Sequence, residues 1–97
     1  MKFRISLRAD ADVDEIWTYI AQRDPAAADR VEQDLHDAMH DLARNPGLGH
    51  GRRDASERYR FWKVHSYLIA YYVEDRTVVV ARVLHGARDI GRFLGGP

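Results

Sequence analysis

The feature that most constrains the fold is a change in the spacing of apolar residues, from two to about 3.6 and back to two. Phe3, Ile5 and Leu7 alternate with polar residues, which is typical of a strand with one buried face. From residue 9 the apolar residues recur every three or four positions, which predicts a helix with one buried stripe. Asp10 or Asp12 is expected to cap its first turn. The stripe consists of Ala9, Val13, Ile16, Trp17 and Ile20.

A second helix is predicted to begin at Asp24-Pro25. Asp24 suits the N-cap, and Pro25 suits the first helical position, where its missing N–H has no helical acceptor. The stretch Asn45-Pro46-Gly47 ends this helix. Because the connection between the two helices is short, we expect them to form an antiparallel hairpin. The apolar stripe of the second helix consists of Val31, Leu35, Ala38, Met39 and Leu42.

The second half of the chain has the composition of strands. A glycine-containing loop of about a dozen residues comes first, and loops of this length are commonly functional. Residues 59–65, 67–74 and 77–84 then form three runs rich in aromatic and β-branched residues, separated by short turns. A short tail over residues 87–94 could form a helical turn. We therefore predict one α+β domain over residues 1–97, with an N-terminal strand, an antiparallel two-helix hairpin on one sheet face, a three-stranded antiparallel meander and a short C-terminal tail.

Composition restricts the possible functions. The chain has no cysteine, which excludes a disulfide framework and any thiolate metal site. Fifteen basic and fifteen acidic residues balance, whereas domains that bind phosphate backbones usually carry a positive excess. A nucleic-acid role would therefore need a local basic patch. The N-terminus does not read as a signal peptide, and no segment has the apolar length of a membrane span, so we expect a cytoplasmic protein without a membrane partner.

Two histidines one helical turn apart, His36 and His40, imitate the H-E-x-x-H pattern of zinc proteases. The intervening Asp37 is one methylene shorter than the glutamate that acts as general base in that motif, and no third ligand stands nearby. The sequence favours a polar helix face with two solvated histidines. We expect neither a metal nor a cofactor.

A second group of residues interleaves arginines with aromatic rings, a composition that can hold phosphates and stack bases. The alternative is structural, because Phe61 or Trp62 must enter the core and because Asp54 and Glu57 partly neutralise the arginines. Both interpretations stay open at the level of the residues. The group consists of Arg52, Arg53, Arg58, Tyr59, Arg60, Phe61, Trp62 and Lys63.

The stretch R-V-L-H-G-A-R-D, which begins at Arg82, gathers ionisable residues at the end of the last predicted strand. Arg82 shares one face with apolar residues and must lie at the rim or be paired, since an unpaired buried charge is unfavourable. With His85 it could serve acid–base chemistry on a phosphodiester. Alternatively, His85 hydrogen-bonds across the sheet, Gly86 permits a bend, and Arg88 and Asp89 form an ion pair. Strict alternation places Val79, Ala81 and Val83 on one face and Val78, Val80, Arg82 and Leu84 on the other.

Five segments are similar, in this order, to segments of one toxin family: D-V-D-E-I-W-T-Y-I-A, D-P-A-A-A-D-R-V, L-A-R-N-P-G-L-G-H-G-R-R, Y-L-I-A-Y-Y-V and R-V-L-H-G-A-R-D. The chain thus resembles the ParE branch of the RelE/ParE superfamily, the toxic halves of bacterial type II toxin–antitoxin pairs. The resemblance covers nearly the whole chain and implies the same strand, helical hairpin and three-strand order. It also implies a non-enzymatic toxin that inhibits DNA gyrase by protein–protein contact and that a cognate antitoxin neutralises in a hetero-oligomer.

The resemblance leaves two alternatives. RelE-like members are ribosome-dependent mRNA endonucleases, and Arg60, Arg82 and His85 could fall near their catalytic positions. Against this, the chain is neutral and has only Lys2 and Lys63 as lysines. In the second alternative the protein binds an antitoxin but has lost its toxicity.

We expect contact with nucleic acid only through the antitoxin or the ribosome, and we favour no residue as catalytic. Arg82 and His85 are expected to hold the C-terminal tail at the end of the sheet. The candidate partner-binding residues are Trp17, Arg52, Arg53, Arg58, Arg60, Trp62, Arg82 and Arg88.

Overall fold

The computed structural model describes residues 1–94, apart from the side chains of residues 87 and 88. Within that range the elements confirm the predicted α+β order, and the tail forms a helix of eight residues. They are β1 (Lys2–Ile5), α1 (Leu7–Ala21), α2 (Pro25–Arg44), β2 (Arg60–Val64), β3 (Tyr67–Glu74), β4 (Thr77–Leu84) and α3 (Gly86–Phe93).

The four strands form one sheet in the order β1-β4-β3-β2. Strands β2, β3 and β4 are an antiparallel meander, as predicted, and β1 adds to β4 in parallel. The hairpin of α1 and α2 covers one face and encloses a main core with Leu35, Met39, Ile69 and Tyr71 at its centre. We call the opposite side of the sheet the open face. There a second, smaller cluster consists of Phe61, Ala70 and Leu84, with Ile90 and Phe93 of α3 packed against it.

The start of α1 differs from the prediction. Ser6 is the N-cap, and its Oγ accepts a hydrogen bond from the Ala9 backbone N–H. The expectation that Asp10 or Asp12 caps the helix was wrong, and so was the assignment of Leu7 to a buried strand face, because Leu7 opens the helix and is 92% exposed. The second helix begins as predicted, with the Asp24 carboxylate accepting from Ala27 N–H.

A β-bulge in β4 changes which residues share a face. Ala70 pairs with Arg82 and Tyr71 pairs with Val80, so that Ala81 is the extra residue. Val83 consequently joins Val80 in the main core, whereas the side chain of Leu84 belongs to the second cluster. The strict alternation predicted for this strand is therefore wrong beyond residue 80. None of the helices in residues 1–94 combines the length and the apolarity that crossing a bilayer requires.

Candidate functional site

The outer edge of β4 is where the first helix meets the last strand. Because β1 ends at Ile5, it pairs with β4 only as far as Val80, and the start of α1 satisfies the next backbone groups of β4. Ser6 donates its backbone N–H to Val80 O at 3.0 Å and its Oγ hydroxyl to Ala81 O at 2.8 Å. Nearly two turns further along α1, Asp12 Oδ2 accepts the Val83 N–H at 2.9 Å. A helix side chain thus continues the hydrogen bonding that the short strand leaves unfinished.

Arg82 is paired, which decides between the two positions that the sequence allowed for it. Its Nε donates to Asp12 Oδ2 at 2.8 Å and its Nη2 donates to Asp12 Oδ1 at 3.2 Å, a two-point contact. Asp12 is only 5% exposed, and a second arginine, Arg8, lies 3.9 Å from its Oδ1. The hydrogen bond to Asp12 raises the pKa of Arg82 above its usual value. Among the described carboxylates Asp12 is therefore the one that ties α1 to the C-terminal part of the sheet.

A cleft of about 420 Å³ opens beside this pair, between α1, the end of β4 and α3. The ring of His85 lies against Tyr67, with 5.2 Å between ring centroids, and its backbone N–H donates to Asp89 Oδ2 at 3.0 Å. Burial raises the pKa of the Tyr67 phenol. Gly86 has φ of +53°, which fits the bend proposed for it. The side chains along the cleft include Arg8, Glu15, Tyr19, Tyr67, His85 and Arg92.

Two expectations for this segment need comment. Among the described residues the His85 ring makes no hydrogen bond across the sheet, and the contact with Tyr67 stands in its place. The proposed ion pair between Arg88 and Asp89 involves a side chain outside the described part of the chain. His85 and Asp89 nevertheless connect β4 to α3, through the backbone of one and the carboxylate of the other.

The loop before β2 is anchored by a residue that the sequence did not single out. Tyr71, buried in β3, accepts the Gly49 N–H on its Oη at 2.8 Å and donates its hydroxyl to Pro46 O at 2.7 Å. Arg60 Nη1 donates to Gly49 O at 2.7 Å. A Cβ on residue 49 would lie 2.4 Å from the Tyr71 oxygen, so this position requires glycine. The available signal was that a tyrosine in a buried strand needs a hydrogen-bond partner for its hydroxyl.

The arginines near β2 are largely engaged. Arg52 pairs with Asp54, with 3.0 Å between Nε and Oδ1, and this hydrogen bond lowers the pKa of the Asp54 carboxyl. Arg58 pairs with Glu74 at 2.9 Å and lies 3.8 Å from the centre of the Tyr72 ring. Asp54 therefore neutralises an arginine as expected, and Glu74 of β3 does so in addition.

The candidate partner-binding residues do not form one surface. Trp17 donates its Nε1–H to Asp29 Oδ1 at 2.9 Å and links the two helices, while Trp62 packs against the main core. Arg60 pairs in register with Tyr71 on the helix side, and Arg82 pairs with Ala70 of the second cluster. Of the three proposed nuclease residues, Arg82 and His85 line the same cleft, whereas Arg60 lies near the loop and bonds to Gly49. Arg52, Arg53 and Arg58 are exposed on the loop, and the side chain of Arg88 lies outside the described residues.

In the described part of the chain, the histidine pair on α2 does not belong to a larger group of potential metal ligands. His40 packs edge-on against the Phe3 ring, with centroids 4.8 Å apart. Within residues 1–94 no three histidine, aspartate or glutamate side chains converge as they would around a metal ion.

The neutral total charge conceals a strong separation of charge. Residues 7–44, which form the hairpin, contain ten Asp and Glu residues but only four arginines. The rest of the chain, which forms the sheet, the loop and α3, contains eleven Lys and Arg residues but only five Asp and Glu residues. The two layers therefore carry formal charges of −6 and +6. The sequence alone would have revealed this separation if the charges of each predicted element had been counted.

Comparison with known proteins shows that the chain is similar to toxins of one bacterial family. Residues 3–90 match the family described as "ParE toxin of type II toxin-antitoxin system, parDE". Toxin ParE1 of Caulobacter vibrioides is 35% identical over 95 residues, which cover 96% of this chain and 97% of that protein. Toxin RelE2 of the same organism is 38% identical over 81 residues, covering 84% of this chain and 90% of that protein.

A solved structure described as "Chromosomal ParDE TA system from P. aeruginosa" superposes with a TM-score of 0.75. The superposition covers 89% of this chain and 96% of that chain, at 20% sequence identity. It shows that the two chains share a fold.

Proposed function

Because the chain belongs to the ParE toxin family of type II toxin–antitoxin systems, we propose that it inhibits DNA gyrase by protein–protein contact and that a cognate antitoxin neutralises it. We propose that it acts in the cytoplasm and that the neutralised form is a hetero-oligomer with the antitoxin. The exposed loop arginines Arg52, Arg53 and Arg58 are the proposed contacts, because they project from the fold without belonging to its core.

The observation that carries a non-enzymatic mechanism is the pairing of Arg82 with Asp12. A nuclease that used Arg82 would need its guanidinium free to stabilise negative charge on a phosphorane. Here both contacting nitrogens already donate to a nearly buried carboxylate. Arg60 donates to Gly49 O, away from the cleft that Arg82 and His85 line. The arrangement supports the gyrase proposal over RNA cleavage by these residues.

RNA cleavage remains the second candidate because of the cleft beside Arg82. His85 and Tyr67 lie against each other in it, and Arg8 and Arg92 supply positive charge at its wall. A histidine in such surroundings suits general acid–base chemistry on a phosphodiester. This candidate requires His85 itself, which makes the two functions separable by substitution.

The test is expression of the chain without antitoxin, with gyrase and mRNA followed in the same cells. The proposal expects accumulation of covalent gyrase–DNA complexes, a DNA damage response and intact mRNA. Codon-positioned mRNA cuts with normal supercoiling would overturn it in favour of the nuclease. Normal growth with well-folded protein would overturn it in favour of a chain that binds antitoxin but has lost its toxicity.

A pair of histidine variants sharpens this test. His85→Ala removes a cleft residue, and His36→Ala removes a histidine from the hairpin as a matched control. Under the gyrase proposal, folded His85→Ala keeps its toxicity as His36→Ala does. Loss of toxicity in His85→Ala alone, with an unchanged circular dichroism spectrum and melting temperature, would favour RNA cleavage.

A further inference from the structure

Part of the positive charge of the sheet layer is displayed on the open face. Lys2 and Arg4 alternate along β1 with Phe3 and Ile5, which pack on the main core, so the two cations project from the opposite side. Lys63 in β2 lies beside Trp62, which is also part of the main core, and projects likewise. We call Lys2, Arg4, Arg58 and Lys63 the basic face.

Three of these four cations have no internal partner. Within the described residues, no carboxylate lies within 4.0 Å of Lys2, Arg4 or Lys63, whereas Arg58 pairs with Glu74. Lys2 and Arg4 are on one edge strand and Lys63 is on the other, three strand spacings or about 14 Å across the sheet. Lys2 and Arg4 pair with Thr77 and Val79, whereas Lys63 is in register with Leu68 and Leu84, so the two groups are also roughly 17–23 Å apart along the strands. The basic face therefore crosses the sheet diagonally, with α3 and the second cluster between its two ends.

From these features we infer that the basic face binds the phosphate backbone of duplex DNA. This inference goes beyond the proposed function and does not rest on it. Exposed cations attract phosphates through release of condensed counterions, and they need no base contact to do so. The acidic hairpin on the opposite side would be repelled by the same phosphates, so that the molecule approaches DNA with the sheet first.

A phosphate backbone fits this face better than a protein does. Protein interfaces have an apolar centre, usually with aromatic anchors. The large apolar side chains that are most exposed in the described chain lie elsewhere: Met1 precedes the sheet, Leu7 and Tyr19 belong to α1, and Val73 pairs with Val78 of the main core. The basic face thus offers charge without an apolar anchor.

A duplex fits this face better than a single strand does. Proteins that hold single strands present free aromatic rings on which bases stack. On the open face these rings are already engaged, because Arg58 covers Tyr72 at 3.8 Å. Tyr59 lies edge-on to both Tyr72 and Phe93. Tyr59 and Tyr72 are therefore not free to stack on bases, and a duplex offers the cations the highest density of phosphates.

The experiment is fluorescence anisotropy of a labelled DNA duplex titrated with the full chain, between about 50 and 200 mM salt. Lys2→Glu/Arg4→Glu reverses two charges on the basic face. Arg23→Glu/Arg30→Glu reverses two exposed charges on the hairpin and gives the same net charge. We expect the first double variant to bind at least about tenfold more weakly and to lower the salt slope by about two. The second should change affinity by less than about threefold.

Four results would overturn the inference. The first is that the parent chain does not bind the duplex at about 50 mM salt, and the second is that both double variants lose the same affinity. The third is that a single-stranded RNA of the same length binds more tightly than the duplex. The fourth is that polyglutamate competes as well as unlabelled duplex at the same charge concentration, which would identify an acidic protein as the partner. Lys63→Glu, on the other edge strand, keeps the inference testable if the β1 variant does not fold. Because the assay contains no gyrase, its failure is independent of the proposed function.

Discussion

Replacing Asp12 with alanine should be among the most destabilising single substitutions in the chain. The change removes a hydrogen bond between a backbone N–H and a charged acceptor, worth about 1.5–3 kcal/mol. It also leaves the Arg82 guanidinium without its partner. Breaking a buried ion pair from one side costs about 3–5 kcal/mol, but Arg82 is 23% exposed, so water solvates part of the freed charge and the lower end applies. We therefore expect a loss of about 5 kcal/mol in the free energy of unfolding.

The companion substitution separates the two contributions. Arg82→Ala removes the ion pair but keeps the bond from Val83 N–H to Asp12, and Arg8 still lies 3.9 Å from the carboxylate, so it should cost about 3 kcal/mol. The double variant contains neither charge and should cost about 5–6 kcal/mol in place of the sum of the single losses. The resulting coupling energy of about 2–3 kcal/mol measures the interaction between the two side chains. Asp14→Ala, an exposed carboxylate on the same helix, is the matched control and should change stability by less than about 0.5 kcal/mol.

The assay is urea unfolding followed by the fluorescence of Trp17 and Trp62, which lie in the hairpin and in the sheet. The unfolding free energy of a domain this size is about 5–15 kcal/mol, so the expected losses are easily resolved. Two results would refute the reasoning: Arg82→Ala as damaging as Asp12→Ala, or single-variant losses that simply add in the double variant. Either result would mean that the Asp12 carboxylate does not bond to the Val83 N–H and to the Arg82 guanidinium at the same time.

Three further substitutions test the loop anchor and the cleft. Tyr71→Phe should cost about 2 kcal/mol, since it leaves the Gly49 N–H and the Pro46 carbonyl without their partner, and an unchanged urea midpoint would contradict this. Gly49→Ala should destabilise the chain because its Cβ would meet the Tyr71 hydroxyl, whereas Gly51→Ala, with nothing within 4 Å, should not; equal melting temperatures would speak against the anchor. Tyr67→Phe should make the chain lose less stability at alkaline pH. Burial raises the pKa of the Tyr67 phenol in the folded protein, so the neutral phenol contributes fully to the free energy of unfolding below about pH 10, and this contribution is lost as the pH rises further. Urea unfolding at about pH 7.5 and about pH 11 checks this, and identical losses in parent and variant would exclude it.

The order of elements could be predicted from the sequence because it depends on local patterns. The spacing of apolar residues changes from two to about 3.6 and back to two, and this predicted one strand, two helices and three strands. Asp24-Pro25 marked the start of α2. The resemblance of five segments to ParE toxins is confirmed by the match over residues 3–90. Each of these signals is contained in a few neighbouring residues.

The errors lie where distant residues decide the local structure. Leu7 continues the alternation of β1, but Ser6 bonds to Val80 and Ala81 of the last strand, and this fixes the helix start at Leu7, two residues before the apolar stripe begins. The bulge at Ala81 likewise follows from pairing with β3, which no single-strand pattern contains. The partner of Arg82 lies 70 positions away in the chain, so spacing could indicate that a partner was needed but not which residue it was.

The pairing of β1 with β4 has a consequence for how the toxin comes into being. Contacts that join residues separated by 70 to 75 positions complete the fold, and closing such long loops is slow compared with forming the helical hairpin. During synthesis the ribosome therefore releases the N-terminal strand long before its neighbour exists. A nascent or prematurely terminated chain can form its helices but not its sheet. The complete four-stranded sheet, with β1 beside β4, therefore forms only when translation is nearly finished.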